Sequence, residues 1–397
     1  MSAPVARVDA ELVGRVRRRL ADSGTDVTQA AVVNAVRAEP AQAPLGGTTL
    51  LRLGDRLYDE VAGAGPLGPL IADPAVTDIV VNGPGEVWVD RGHGMVRTGL
   101  KFPDAESVRR LAQRLAASCE RRLDDGCPYV DARLTDGTRM HAVLPPIAVS
   151  GPYLSLRTFR HRAYELRELV AAGTVPVAAV SILTAIVRAR LAYLVTGGTG
   201  SGKTTLLATL LGLVPATERI LVVEDATELR PSHPHVVSLQ SRPPNVEGAG
   251  AVTLRDLVRQ ALRMRPDRLV VGECRGAEIV EMLAALNTGH EGGAGTLHAN
   301  TAADVPARLE ALGLLGGLTR EALHAQVAAG LQVVLHVGRD RDGRRLQEVC
   351  VLLPTEPARL VQAVTAWRPD TGPGPAATVL AGLLSARGVT PPAALGS

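Results

Sequence analysis

The sequence predicts an α/β fold built around a mainly parallel β-sheet, and two observations support this. From about residue 177 to about residue 300, helical patterns alternate with short apolar runs, as they do when helices connect parallel strands. Within that stretch, the apolar run 192–196 opens directly into a glycine-rich turn, and a helical pattern follows the turn. Further strands are expected at residues 220–224, 235–239, 269–272 and 294–298, with a helix at 253–265 that Thr253 can cap and Pro266 ends.

The glycine-rich turn, GGTGSGKTT, fits the pattern G-x-x-x-x-G-K-S/T. Glycines lack a Cβ atom, so the backbone of such a turn can form a nest whose N–H groups point at the oxygens of a polyphosphate. The helix that begins near Lys203 directs its N-terminal dipole at the same phosphates, while Thr204 offers a hydroxyl to Mg²⁺. Because a strand precedes the turn, the match predicts a nucleotide site rather than a chance occurrence. The predicted nucleotide-binding residues of the turn are Gly197, Gly198, Thr199, Gly200, Ser201, Gly202, Lys203, Thr204 and Thr205.

Acidic side chains follow two other apolar runs. Glu224 and Asp225 come after ILVV, and Glu273 comes after LVVG. Carboxylates at the carboxyl ends of parallel strands lie in the crevice where α/β folds bind ligands. There they can hold Mg²⁺ through its water and orient an attacking water, although each also fits an ordinary acidic turn residue. Gly272 stands where many phosphate-loop enzymes carry a metal-linked aspartate, which makes this an unusual variant.

Two histidines, His290 and His298, lie in the segment LNTGHEGGAGTLHAN. Their separation is wrong for a compact zinc motif. Residues of this type beside glycine-rich turns can act in catalysis, bind a metal or serve as polar loop residues. The residues alone leave these alternatives open.

Composition limits the classes of function. The net charge is only +3 and aromatic residues make up 2% of the chain, which argues against a nonspecific nucleic-acid coat or clamp. The four cysteines form no C-x-x-C pair, so we expect no structural zinc and a reducing compartment. No apolar window of about 18 residues and no signal-peptide core are evident. The sequence therefore predicts a cytoplasmic protein that associates with the inner face of the cell membrane only peripherally, if at all.

The rest of the chain divides into further predicted parts. Residues 1–45 are expected to form a small helical appendage, because apolar residues recur there at helical spacing. Residues 50–160 combine hairpin signals with a helix that Asp104 can cap, which is typical of an α+β domain. Residues 161–176 read as a linker and residues 177–365 as the phosphate-loop domain. Residues 366–397, rich in Pro, Gly and Ala, are expected to be a flexible tail.

As a set, these motifs resemble those of the secretion-superfamily ATPases, the hexameric motors of type II and type IV secretion and of pilus assembly. The signature elements of that family are a Walker A loop, an acidic "Asp box", a Walker B glutamate and a "His box". They match GGTGSGKTT, EDATEL, LVVGECRG and LNTGHEGGAGTLHAN in that order. Two earlier segments, TDIVVNGPGEVWVDRGHG and PYVDARLTDGTRMHAVLPP, resemble the sensing domain of the tight-adherence (Flp) pilus branch. The four-cysteine zinc module of many type II secretion and pilus-extension ATPases is missing, which favours the tight-adherence or type IV secretion branches.

The resemblance implies a RecA-like P-loop NTPase domain, preceded by an α+β sensing domain, with ATP as substrate and Mg²⁺ as cofactor. It implies that Glu224 is the base for the attacking water and that Glu273 acts on the metal through water, together with Thr204. The His-box residues His290 and His298 would lie near the γ-phosphate.

Basic residues of the family's N-terminal domain reach the nucleotide phosphates, and the candidates here are Arg133, Arg139 and Arg157. An arginine so placed stabilises the charge that develops on a transferring phosphoryl group. Which of the three does so is open.

The expected function is therefore an ATP-hydrolysing homohexamer, docked on an inner-membrane platform protein, that powers pilus assembly or protein secretion. The alternative is a DNA-translocating ATPase of a conjugative transfer system, although the chain has few aromatics for stacking on bases. A third alternative is a structural subunit that binds ATP without hydrolysing it.

Overall fold

The computed structural model of the chain divides into two compact units, Met1–Arg160 and His161–Ser397. It describes residues 14–16, 18–20, 28–39, 53–54, 57–58, 63–158, 163–242, 244, 248–340, 343–356 and 360–396. Much of the expected 1–45 appendage, the start of the expected linker and the final residue therefore lie outside the described part. Among the described residues, no helix combines the length and the apolar character needed to cross a bilayer.

The first unit contains a six-stranded antiparallel sheet with the strand order β3-β2-β1-β6-β5-β4. Its strands are β1 (Asp78–Asn82), β2 (Val87–Asp90), β3 (Met95–Arg97), β4 (Tyr129–Arg133), β5 (Arg139–Val143) and β6 (Tyr153–Arg157). Its helices are α1 (Gln29–Arg37), α2 (Gly68–Ala72) and α3 (Ala105–Ser118), with a 3₁₀ turn at Gly65–Leu67.

Helix α3 packs its apolar side against the sheet of the first unit. Val108, Leu111 and Leu115 are buried in the same cluster as Leu154 and Leu156 of β6. The expected cap is confirmed, because the Asp104 carboxylate accepts the N–H of Ser107 at 2.7 Å. Both expected hairpins are also confirmed by the antiparallel pairing of β1 with β2 and of β4 with β5.

The second unit is built on a nine-stranded sheet with the order β15-β14-β13-β12-β7-β11-β10-β8-β9. The strands are β7 (Tyr193–Gly197), β8 (Ile220–Glu224), β9 (Val236–Gln240), β10 (Arg268–Cys274), β11 (Ala294–His298), β12 (Val333–Asp340), β13 (Gly343–Thr355), β14 (Leu360–Arg368) and β15 (Gly372–Pro373). The helices are α4 (Leu166–Ala171), α5 (Val177–Arg188), α6 (Lys203–Leu211), α7 (Leu254–Ala261), α8 (Glu278–Leu286), α9 (Val305–Leu315), α10 (Arg320–Gly330) and α11 (Ala377–Ala386). Short 3₁₀ turns occupy Leu262–Met264, Ala302–Asp304 and Ala393–Leu395.

The pairing of this sheet confirms the predicted parallel arrangement for its central part. Strand β7 runs parallel to both β11 and β12, and β10 runs parallel to both β11 and β8. Strands β13, β14 and β15 join antiparallel at one side, so the sheet as a whole is mixed.

Helices cover both faces of the nine-stranded sheet, because alternate residues of its central strands are buried in two separate clusters. Tyr193 and Val195 of β7 point into the cluster that contains α5 and α6. Leu194, between them, belongs to the cluster formed with α7, α8, α9 and α10. A strand buried on both faces is expected to be apolar throughout, as the run AYLV is.

Two predictions about the ends of this unit are wrong. Within the expected linker, helix α4 buries Leu166 and Leu169 in the core. Within the expected flexible tail, helix α11 buries Leu380 and Leu384 in the same core. The two leucines lie at i and i+3 in α4 and at i and i+4 in α11, so each pair supplies an apolar face. In α11, packing of that face overrides the disorder that the Pro and Gly content of the tail indicated.

Arg268, at the start of β10, is the largest fully buried side chain of the described residues and is 1% exposed. Its Nε atom lies 2.6 Å from the Glu218 carboxylate, and Nη2 donates to the carbonyl of Val187 at 3.1 Å. The arginine thus ties the end of α5 to the segment that precedes β8, at the edge of the sheet where the parallel strands begin.

We predict that Arg268→Ala destabilises the protein by about 3 kcal/mol, because the substitution leaves the Glu218 carboxylate, which is only 16% exposed, and the buried carbonyl of Val187 without this donor. The value lies at the low end for a buried pair since Arg190 also contacts Glu218, at 3.1 Å. Urea unfolding measures the change. The control is Arg167→Ala, which removes an arginine that is 81% exposed and should cost less than about 1 kcal/mol. Equal stability of the two variants would contradict the prediction.

Candidate nucleotide-binding site

The glycine-rich loop runs from Gly197, the last residue of β7, to Lys203, the first residue of α6. Gly200 and Gly202 have φ angles of +71° and +97°, which favour glycine. At Gly197 a different constraint operates, because a Cβ atom there would lie 2.1 Å from the carbonyl oxygen of Val337. The loop therefore needs glycine both for its backbone conformation and for its close packing on β12.

The Lys203 side chain lies along the loop and donates to its carbonyl groups. Nζ is 3.0 Å from the carbonyl oxygen of Gly197 and 2.8 Å from that of Gly198. The Gly198 carbonyl also accepts the hydroxyl of Ser201 at 2.9 Å. Burial lowers the pKa of Lys203, whereas the negative charge of Glu273 raises it. A polyphosphate oxygen would satisfy the same donors with a full negative charge.

Glu273, His298 and Arg275 form an ionic cluster beside Lys203. His298 Nε2 lies 2.9 Å from Glu273 Oε1 and 3.4 Å from Lys203 Nζ. Arg275 Nη2 contacts the other carboxylate oxygen of Glu273 at 2.5 Å. Burial and the nearby charge of Lys203 lower the pKa of His298, and Glu273 opposes this shift. The His298 imidazole is therefore held mainly neutral at physiological pH.

The strand order explains why these side chains meet. Strand β11 lies between β7 and β10, and all three are parallel, so their carboxyl ends share one edge of the sheet. His298 is in register with Gly197, the first residue of the loop. Leu297 is in register with Cys274, the residue after Glu273. The register of the three strands thus brings Glu273 and His298 to the start of the loop, beside Lys203.

Glu224, at the end of β8, is 3% exposed and packs against β10. Its Oε1 atom accepts the N–H groups of Glu228 and Leu229, each at 3.0 Å. A Cβ atom at Gly272 would lie 2.4 Å from Glu224 Cγ. This contact explains the glycine at position 272, because the Glu224 side chain occupies the space that an aspartate there would need.

The residues at the loop fit a Mg²⁺ ion of the kind that nucleotide sites use. Such an ion keeps several waters and is held by one or two carboxylates together with the phosphates, rather than by an all-protein cage. Glu273 Oε1 is buried and accepts no hydrogen bond, since His298 Nε2 is close to it without hydrogen-bond alignment. No group of three or more His, Cys, Asp or Glu side chains in the described ranges could hold a metal by itself.

The structure does not bring His290 to this cluster. His290 precedes β11 on its amino side, whereas His298 ends that strand. The carbonyl of Gly293, between the two histidines, accepts the N–H of Tyr193 at the start of β7. The whole strand therefore separates His290 from the loop, and the resemblance placed it near the γ-phosphate only because the two histidines share one sequence motif.

The three candidate arginines of the first unit form a row across its sheet. Arg133 is directly opposite Arg139, which is directly opposite Arg157, so all three lie on one face. Arg157 Nε donates to the Asp78 carboxylate at 3.0 Å, and Arg133 Nε donates to the carbonyl of Gly137 at 3.2 Å. Asp78 is in turn directly opposite Arg157, so the row ends in a carboxylate that offsets part of its positive charge.

Two charged residues of the site were not singled out from the sequence. Arg275 neutralises one oxygen of Glu273, and Glu228 is close enough to raise the pKa of Lys203. Both lie within the motifs GECRG and EDATEL. Their charge, close in sequence to a predicted catalytic acid, is the feature that could have marked them as site residues.

We predict that Gly272→Ala destabilises the protein by about 1 to 3 kcal/mol, because the added methyl group displaces the Glu224 side chain in a packed interior. Thermal unfolding measures the effect. Gly382→Ala is the matched control, since a Cβ atom there meets nothing within 4 Å and position 382 lies in helix α11. That control should be neutral or stabilising by up to about 1 kcal/mol. A Gly272→Ala protein as stable as the control would refute the packing account.

Comparison with known proteins places this geometry in a family. A protein-family model described as "Type II/IV secretion system protein" matches residues 60–349. A Mycobacterium tuberculosis protein named for conjugal transfer is 56% identical over 350 residues, covering 86% of this chain and 99% of its own length. The conjugal transfer protein TrbB of Rhizobium radiobacter is 31% identical over 303 residues, covering 75% of this chain and 88% of its own length.

Among solved structures, the pilus retraction motor PilT with bound ADP matches with a TM-score of 0.51 and 23% identity, covering 73% of this chain and 83% of that one. At this identity the likeness supports the fold alone. The family model covers well over half of the chain and includes the whole ionic cluster at the loop. The chain therefore belongs to the type II/IV secretion system protein family, the secretion-superfamily ATPases.

Proposed function

We propose that the chain hydrolyses ATP as a subunit of a ring motor that powers tight-adherence or type IV-like pilus assembly, or protein secretion across the inner membrane. The observation that carries the proposal is the convergence of Lys203, Glu273 and His298 beside a glycine-rich loop. Family membership supports ATPase activity in general, and the proposal extends it to this chain.

The proposed roles follow the geometry of the site. The loop and Lys203 bind the polyphosphate, exchanging the carbonyl groups that Lys203 now contacts for phosphate oxygens. Thr204 and Glu273 are the proposed Mg²⁺ ligands, Glu273 through water; the ion would neutralise developing negative charge. Glu224 is proposed to orient the attacking water while the N–H groups of residues 228 and 229 hold its Oε1 in place. His298, neutral and close to both Lys203 and Glu273, can accept or donate a hydrogen bond at the reacting phosphate.

The arginine row of the first unit supplies the proposed link between hydrolysis and movement. A ligand shifts a conformational equilibrium only through its differential affinity for the two states. If Arg133, Arg139 or Arg157 contacts the phosphates, ATP favours the conformational state in which that arginine reaches it, and hydrolysis removes that bias. We propose six subunits, docked at the cytoplasmic face of the membrane on a platform protein.

A DNA-translocating ATPase of a conjugative transfer system is the second candidate. The names of the Mycobacterium tuberculosis and Rhizobium radiobacter relatives favour it. The 2% aromatic content and the net charge of +3 offer little support for a nucleic-acid channel. Strong stimulation of ATP hydrolysis by DNA, lost at high salt, would favour this candidate, and a rate indifferent to DNA would favour the first.

We predict that Lys203→Ala abolishes ATP hydrolysis, because no other group of the loop places a positive charge at the β/γ position. Steady-state phosphate release measures the rate. The control, Arg167→Ala, removes an exposed positive charge from helix α4 of the same unit and should leave turnover unchanged. Turnover by Lys203→Ala at the wild-type rate would contradict the assignment of this loop as the ATP-binding site.

We predict that at least one of Arg133→Ala, Arg139→Ala and Arg157→Ala lowers kcat by about 10³-fold, the effect typical of an arginine that stabilises a transferring phosphoryl group. Single-turnover hydrolysis of each variant identifies the residue. Arg97→Ala, on β3 of the same sheet, is the matched control. If all three variants turn over at the rate of this control, the arginine row has no part in the chemistry.

A further inference from the structure

The β12–β13 hairpin packs against one side of the phosphate loop. Arg344, near the start of β13, donates from Nε to the carbonyl of Gly200 at 2.9 Å. Its aliphatic stem covers Gly202, since a Cβ atom there would lie 3.3 Å from Arg344 Cδ. Gly200 and Arg344 are 144 residues apart in the chain, and only the sheet order brings them together.

The hydrogen bond from Arg344 fixes the orientation of one peptide group in the loop. In a trans peptide the C=O and the following N–H point in opposite directions. Because Arg344 holds the Gly200 carbonyl on the hairpin side, the N–H of Ser201 must point away from the hairpin. That N–H is directed at the Gly198 carbonyl, 3.4 Å away, which is also the acceptor of Lys203. The Ser201 N–H and the Lys203 ammonium group, both candidate donors to a polyphosphate, therefore point at the same carbonyl oxygen. Arg344 holds the loop from the side of the hairpin.

A second arginine accompanies the first. Arg339 of β12 is directly opposite Arg344, so both side chains lie on the same face of the hairpin. Arg339 Nη1 lies 3.8 Å from the position of a Cβ atom on Gly200. Two like charges directly opposite each other are unfavourable in a hairpin, and an anion bound at the adjacent loop relieves that repulsion.

We infer that Arg344 is a positioning residue that holds the phosphate loop in its polyphosphate-binding conformation, and that Arg339 adds to the positive charge that attracts the polyphosphate. The inference rests on the proposed function, because it needs the loop to bind a nucleotide. Arg344 belongs to the same unit as the loop, so its role is separate from the one proposed for the arginine row of the first unit.

The test compares the affinity of the full-length protein for ADP in Arg344→Ala, Arg345→Ala and Lys203→Ala, by titration calorimetry, with unfolding temperatures taken in the absence of nucleotide. Arg345 is the matched control: it is the next residue of the same strand, is also exposed and pairs with Gly338, so its side chain points to the other face of the hairpin. The inference predicts about tenfold weaker ADP binding by Arg344→Ala, because without this hydrogen bond the free loop populates its polyphosphate-binding conformation less often. Arg345→Ala should bind ADP as tightly as the wild type does. Without nucleotide, the wild type, Arg344→Ala and Arg345→Ala should unfold at similar temperatures.

The outcomes separate the inference from the proposed function. If the wild type binds ADP, Lys203→Ala does not, and Arg344→Ala matches Arg345→Ala, the inference is overturned and the proposed function stands. If the wild type itself fails to bind ADP, both the inference and the proposed function are contradicted. If Arg344→Ala unfolds more than about 5 °C below the wild type, the comparison moves to Arg344→Lys and Arg345→Lys, which keep charge and stem. Equal ADP affinity of those two variants would overturn the inference, and weaker binding by Arg344→Lys would support it.

Discussion

The parallel pairing of β7 with β11, and of β11 with β10, is the constraint on which the candidate site depends. It sets the carboxyl ends of the three strands side by side, and each end carries one part of the chemistry: the loop after β7, Glu273 in β10 and His298 at the end of β11. A shift of one residue in either pairing would turn the side chains of that strand to the opposite face. The apolar clusters on both faces of the sheet fix that register, so the core positions the site.

The same edge brings several charged side chains close together. Lys203 uses two loop carbonyls as acceptors, Glu273 is shared between Arg275 and His298, and Glu224 accepts two backbone N–H groups. Each of these side chains thereby gains at least one local partner, as burial requires, although Glu273 Oε1 accepts no hydrogen bond. Binding of a polyphosphate would replace the carbonyl partners of Lys203 by a stronger acceptor, and this exchange is the physical basis of the proposed nucleotide affinity.

Local pattern predicted the central strands and the loop, and the general rule for parallel strands placed Glu273 at the same edge. The place of His298 near the phosphates came only from the resemblance to the family, since the residues alone left its role open. The sequence could not explain Gly272, since the reason is the Glu224 side chain on a neighbouring strand. The packing of Arg344 on the loop was equally invisible, because residues so far apart in sequence meet only through the strand order. His290 was misplaced because nearness in sequence to His298 hides the strand between them. Helix α11 was missed because the Pro and Gly content outweighed the signal of its two buried leucines, Leu380 and Leu384.

The central claim is that ATP hydrolysis belongs to a ring of subunits rather than to a single chain. The most direct measurement is the ATPase rate per subunit across a range of protein concentrations, with the molecular mass in nucleotide determined in parallel by light scattering. The account predicts that the rate per subunit rises as the mass approaches that of about six chains, a number taken from the proposed function. A monomer that hydrolyses ATP at the same specific rate at every concentration would contradict it.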